Sequence, residues 1–174
     1  MHKIFLTVLI LILFIDLSFA QVEPETNYSV QGDFTSALLI NTISGNGDFD
    51  ILKIKKGVPA YLGLRLGVQR FYVSTISFGG GSGQVNGSPF TDVDLLGKFT
   101  ISGRVFDLNL CPGITHHSVS NSSRNGDDGI YPKLVADVKL KIFKNTAGLL
   151  LKLAYSKESY GGIGLFVGFS TKDK

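Results

Sequence analysis

The sequence predicts an all-β chain: a single antiparallel up-and-down β-barrel of eight strands behind a cleaved N-terminal signal peptide. Three observations predict it. First, in the closing stretch from Tyr160 to Phe169, residues Ile163, Leu165, Val167 and Phe169 fall on one face, while Gly162, Gly164, Phe166, Gly168 and Ser170 fall on the other. Successive side chains of a strand point to opposite faces, so this is a period-two pattern. A glycine-rich face suits the crowded inside of a narrow closed barrel, which turns the apolar face outward. Second, strand-like runs follow one another with few helix signals. Third, short turns and long loops separate them in a pattern that sorts onto two ends.

Taken in order, Met1-His2-Lys3 precedes an apolar run from Ile4 to Ile15 and a small-x-small site at Ser18-Phe19-Ala20. That reads as a secretory signal, residues 1–20, cut after Ala20. The run is too short for a comfortable membrane span, and Asp16 follows it. Residues 21–47 read as a polar lead-in with a possible extra strand or plug at 34–43. The barrel domain is expected over 48–170, with a polar tail at 171–174. Its strands begin with Phe49 to Lys55, which alternates poorly, and Ala60 to Val68. Phe71 to Phe78 follows, rich in β-branched and aromatic residues. Thr91 to Ile101 alternates except at Leu96 and Gly97. Val105 to Pro112 comes next, then Lys133 to Phe143, the cleanest strand, then Ala147 to Tyr155 and the closing run.

Short turns near 67–70, 101–104 and 143–146 then lie on one end. Long loops at 79–90 and 113–131 lie on the other, together with short connections at 56–59 and 156–159. Short turns on one side, long loops on the other and strands of roughly 10 residues are the habit of transmembrane barrels.

The composition narrows the function. The net charge is +3, and no basic cluster stands out beyond Lys53-Ile54-Lys55-Lys56, so nucleic-acid binding has little support. Cys111 is the single cysteine, so no internal disulfide is expected and the thiol reads as a small buried hydrophobe. No apolar run after the signal is long enough for a transmembrane helix. A membrane role must come from strands.

The signal ending Ser18-Phe-Ala-Gln21, the alternating strands and the closing Gly162-Ile-Gly-Leu-Phe-Val-Gly-Phe169 resemble the small outer-membrane β-barrel proteins of the OmpA/OmpX-like superfamily, in the form common in Bacteroidota. The resemblance covers about residues 48–170. It implies a location in the cell outer membrane and an aromatic residue, here Phe169, read by the outer-membrane assembly machinery. Ser170-Thr-Lys-Asp-Lys174 after that aromatic departs from the family pattern. No shared catalytic residues come with the resemblance.

The expected lipid-facing residues are Leu62, Leu64, Leu66, Val93, Leu95, Phe106, Leu108, Leu110, Leu134, Val138, Leu140, Leu149, Leu151, Leu153, Ile163, Leu165, Val167 and Phe169. The expected lumen charges are Arg65, Asp92, Asp94, Lys98, Asp107, Lys133, Asp137, Lys139, Lys141 and Lys152. Aromatic residues at strand ends (Phe90, Phe99, Tyr131, Phe143, Tyr155, Tyr160 and Phe169) suggest interfacial girdles. A soluble lipocalin-like barrel binding an apolar ligand would show the same alternation with the faces reversed. Charges crowded into an eight-stranded lumen must pair, which gives a side-chain plug and not a pore.

Candidate chemistry is sparse. His116-His117 offers two ligands where a zinc site needs three or four. Asn125-Gly-Asp-Asp128 lacks the spacing and terminal glutamate of a calcium loop. Ser82 and Ser118 have no nucleophile elbow, and Gly79 to Gly83 lacks the Lys-Ser/Thr of a phosphate loop. Asn27, Asn86 and Asn121 fit a glycosylation pattern that chance supplies freely. Three classes stay open: a structural or surface-interaction barrel acting through loops 79–90 and 113–131, a soluble ligand-binding barrel, and an enzyme built on a barrel. The first is expected, with no catalysis, cofactor or metal.

Overall fold

In the computed structural model, residues 21–37, 40–55, 59–73, 89–119, 128–143, 146–157 and 159–171 are described. They form eight strands: β1 Gln21–Ser36, β2 Ile40–Lys55, β3 Ala60–Val73, β4 Phe90–Ser102, β5 Phe106–Val119, β6 Gly129–Phe143, β7 Ala147–Tyr155 and β8 Tyr160–Ser170. Each pairs antiparallel with the next, and β8 returns to β1, so the sheet is a closed barrel. Closure pairs the edge of β1 with β8 over Ser29–Ser36.

The eight-stranded barrel is as expected, but two boundary errors cancel in reaching the count. The lead-in 21–47, with its strand or plug at 34–43, is instead β1 and the first half of β2. It reads as polar because its inward row is Asp33, Thr35, Thr42, Ser44 and Asn46, all buried, while Gly32, Gly45 and Gly47 interrupt the outward row. Conversely, no turn occurs at 67–70. Gly67 to Arg70 pairs residue for residue with Asp94 to Thr91, so Ala60 to Val73 is one strand. Beyond Val73, the expected strand to Phe78 lies outside the described residues.

Further corrections concern loops. β5 continues to Val119 and β6 begins at Gly129, so much of the loop expected at 113–131 is strand. Pro112 does not end β5, whose pairing with β6 runs unbroken through Pro112 to His117. The connection at 56–59 lies on the end with 103–105 and 144–146, because β3 runs straight through 67–70 and its two ends lie on opposite sides of the barrel. The connections 74–89, 120–128 and 156–159 share the opposite end.

Phe49 to Lys55 alternates poorly because Ile51 is an extra residue between the pairs Asp50↔Gly63 and Leu52↔Leu62. Such a bulge shifts which face the following residues occupy. The signal 1–20 and most of the tail, 172–174, fall outside the described residues. Thr171 is described, and its hydroxyl accepts from the Tyr28 amide at 3.0 Å and donates to the Tyr28 carbonyl at 3.2 Å.

Candidate functional site

The barrel has two chemically opposite surfaces, and the alternation of each strand builds both. The inner one is charged. Asp33, Asp48, Asp50, Asp92, Asp94 and Asp137 are buried there beside Arg65, Lys98, Lys133, Lys139 and Lys152. Of the expected lumen charges, these include all but Asp107 and Lys141, which pair with each other at 2.8 Å near the short-turn end. Asp33, Asp48, Asp50 and His117 were missed. The first three lie where no strand was read, or where the bulge hid the alternation.

The inner charges pair in three tiers. Nearest the long-loop end, Lys133 Nζ donates to Asp92 at 2.8 Å and to Asp94 at 2.9 Å, and His117 Nδ1 meets Asp92 at 2.8 Å. Gln69 donates to Asp94 at 2.5 Å and accepts from the Tyr160 hydroxyl. An apolar cluster of Phe71, Phe90, Leu96, Cys111, Val135, Ala154 and Tyr160 packs inside at this end, with Phe71 and Phe90 stacked at 4.1 Å. Phe90 and Tyr160 therefore belong to the interior and not to a girdle. Phe143 and Tyr155, by contrast, are exposed at 69% and 71%.

In the second tier, Lys152 Nζ donates to both Asp33 oxygens at 2.7 and 2.9 Å and to Ser44 at 2.9 Å. Lys152 is on β7 and Asp33 on β1, so the side chain must pass over β8. The inward residues of β8 at that level are Gly162, opposite Lys152, and Gly164, opposite Thr35. A Cβ at Gly164 would overlap the carbonyl oxygen of Phe34. Glycine here permits both the tight approach of β8 to β1 and the bridge above it.

The third tier centres on Arg65. Its guanidinium donates to Asp48 through Nε at 2.7 Å and Nη2 at 3.0 Å, and to Asp137 through Nη1 at 2.6 Å. Lys98 joins Asp48 at 3.1 Å and Asp50 at 3.0 Å, and Asn109 donates to Asp137 at 2.6 Å. Among the described residues, no fully occluded side-chain nitrogen or oxygen lacks a partner. That is the condition under which buried charge is tolerable.

The outer surface is apolar. Leu64, Leu66, Val93, Leu95, Phe106, Leu108, Leu110, Leu134, Leu140, Leu149, Leu151, Leu153, Ile163, Leu165, Val167 and Phe169 are all exposed. Leu62 and Val138 share their rows and are half-exposed. β1 and β2 add Tyr28, Val30, Phe34, Ile43 and Phe49, which were not foreseen. Among strand side chains that are described, the one charged group facing out is Arg70, near the long-loop end, its guanidinium 5.6 Å from the Tyr72 ring.

The candidate reactive groups do not assemble into a site. His116 is exposed and His117 is 3% exposed in the lumen, because neighbours on a strand face opposite ways, so the two cannot share a metal ion. Among the described residues, no group of three or more His, Cys, Asp or Glu could hold one. Asp128 caps the chain by accepting from the Val119 amide at 2.8 Å, and Asn27 lies in β1, donating to Glu25 at 3.0 Å. Asp127, Ser82, Asn86 and Asn121 lie outside the described residues. Cys111 is fully buried, as its type suggested.

No family model matches the chain. No curated protein matches its sequence. Among solved structures, one described as "De novo design of transmembrane beta-barrels" is similar, with a TM-score of 0.46 and 10% identity over 87% of this chain and 100% of that one. A likeness at that level carries nothing further to this chain.

Proposed function

We propose that the protein is an outer-membrane β-barrel with a side-chain-filled lumen, exported by the signal 1–20 and acting as a structural or surface-interaction protein through the connections at its long-loop end. One observation carries the reading: charge is inside, and an almost uncharged belt of leucine, isoleucine, valine and phenylalanine is outside. Soluble monomers rarely expose contiguous apolar patches beyond a few hundred Å². Hydrocarbon, in contrast, demands such a belt and a sheet without edges. Tyr28, Phe49, Phe106, Phe143 and Phe169 toward the short-turn end, with Tyr72 and Tyr155 toward the other, support interfacial girdles.

The reversed, lipocalin-like arrangement fits poorly, because the lumen holds ion pairs where an apolar ligand would sit. The paired lumen also argues against an ion path, and among the described residues no group gathers that would support catalysis. Membership of the OmpA/OmpX-like superfamily in its Bacteroidota form, and recognition of the closing strand by the assembly machinery, are part of the proposal. Eight strands and short turns gathered at one end support it.

Membrane fractionation and a gel run with and without boiling test the reading. The mature protein should sediment with membranes, need detergent for release and migrate differently when unboiled. Recovery in a soluble fraction without detergent would overturn it.

A further inference from the structure

Among the described residues, one lumen cation, Lys139, has no acid in ion-pair contact. Lys139 is 8% exposed, yet among the described residues it makes no hydrogen bond or ion pair, and its amine lies 5.8 Å from the centre of the Phe166 ring. The acids within its reach are occupied: Asp48 by Arg65 and Lys98, and Asp137 by Arg65 and Asn109. Since every fully occluded polar atom described has a partner, the Lys139 ammonium must reach open space. That space is a cavity of about 40 Å³ toward the short-turn end, which Lys139 lines. Ser29 and Gln31 of β1 line it as well, and neither side chain makes a hydrogen bond among the described residues. Its charged lining is Lys98, Lys139 and Lys141 against Asp48 and Asp107, and Lys98 and Lys141 are held by Asp50 and Asp107.

We infer that this cavity is a binding site for a small oxyanion, a phosphate or carboxylate group, with Lys139 as its charged donor and Ser29 and Gln31 as neutral ones. An ammonium facing a space of a few waters with no acid in direct contact is poorly satisfied, and an oxyanion supplies both the contact and the acceptors. The volume admits roughly three waters, so the bound group is no larger than about a phosphate. The inference is independent of the membrane reading. It concerns the lumen alone and would hold for a soluble barrel.

The test uses the full-length folded protein in a zwitterionic detergent, its unfolding midpoint followed as inorganic phosphate or acetate replaces perchlorate at fixed ionic strength. A parallel arm adds phosphatidylglycerol to phosphatidylcholine bicelles, to distinguish a lipid phosphate from the free ion. The midpoint should rise saturably with at least one of these oxyanions. Lys139→Met should weaken that response by about tenfold or more, the scale of one lost hydrogen bond to a charged group. Lys139→Arg should retain it. Should Lys139→Met fail to fold, Ser29→Leu keeps the ammonium but fills the cavity, and it should abolish the response equally. No saturable response in any arm, or the same response in wild type, Lys139→Met and Ser29→Leu, would overturn the inference and leave the cavity to water.

Discussion

Replacing Arg65 by Met tests whether the lumen is held by paired charge or merely filled. Arg65 is 3% exposed and makes three charge-assisted bonds, two to Asp48 and one to Asp137. Without it, Asp48 keeps Lys98 at 3.1 Å, but Asp137 keeps only the neutral amide of Asn109 as a direct partner. Breaking a buried pair costs about 3–5 kcal/mol when the charge left behind is uncompensated, an upper bound here because the Lys139 ammonium lies within reach of Asp137. Asp137→Asn removes the stranded charge instead, and Arg65 retains its two-pronged hold on Asp48. We expect that single change to cost about 1–2 kcal/mol, the scale of one weakened charge-assisted bond. The double variant Arg65→Met/Asp137→Asn should then be more stable than the two single costs imply, by about 1–3 kcal/mol of coupling. Urea unfolding of the detergent-folded protein, read by the unboiled gel band and by circular dichroism, supplies the four stabilities. Strictly additive costs, or an Arg65→Met penalty below about 1 kcal/mol, would refute the argument that this cation holds Asp48 and Asp137 together.

Other expectations follow from the same geometry. Val138→Arg, mid-strand in the outer row, should cost about 2–4 kcal/mol in lipid-folded protein, whereas Arg at the lumen residue Lys139 should fold nearly as well as wild type; equal penalties would contradict the assigned faces. Gly164→Val should block closure of β8 on β1, visible as loss of the fast-migrating unboiled band, because the new Cβ meets the Phe34 carbonyl. Truncation before Gly162 should likewise yield no folded product, while removing 172–174 and keeping the Thr171 clasp to Tyr28 should leave the folded band unchanged. The Cys111 thiol, fully buried in the lumen cluster, should resist a maleimide in the folded barrel and react once unfolded in urea.

How much of this was legible depended on whether a strand's two rows differed in chemistry. In β6 and β8 they differ plainly: Leu134, Val138 and Leu140 against Lys133, Asp137 and Lys139, and Ile163 to Phe169 against glycine. There the faces and their residues could be read directly. In β1 the inward row is Ser29, Gln31, Asp33 and Thr35, and the outward row loses contrast at Gly32, so the segment looked like a loop. In β2 the bulge at Ile51 breaks the period just after Asp48 and Asp50, hiding two of the lumen acids. Gly67 to Arg70 looked like a turn because a glycine and two polar residues fall together. Gly67 faces Asn46 and Asp94 in the lumen, where a larger residue would collide with the Asn46 amide. Pairing partners cannot be read from single strands. The sequence therefore revealed most of the inner charges of β3 to β7 but not Asp33, Asp48 and Asp50, not that Arg65 joins acids of β2 and β6, and not that Lys139 has no direct partner.

The tiers of ion pairs also have a mechanical consequence. The backbone bonds of a closed sheet act as a hoop: they resist opening of the ring but offer little against squeezing it into an oval, since a single layer bends easily across its thickness. The side-chain bridges act as spokes. Arg65 ties β3 to β6, Tyr160 ties β8 to β3, Lys152 ties β7 to β1 and Lys98 ties β4 to β2, so the braces run at several heights and in different directions. A wheel braced this way keeps a round cross-section under sideways load and transmits a push on one wall to the opposite one. Cutting a spoke would soften the shape of the tube before it loosened any seam, so all eight strands would stay paired and their amides protected from exchange.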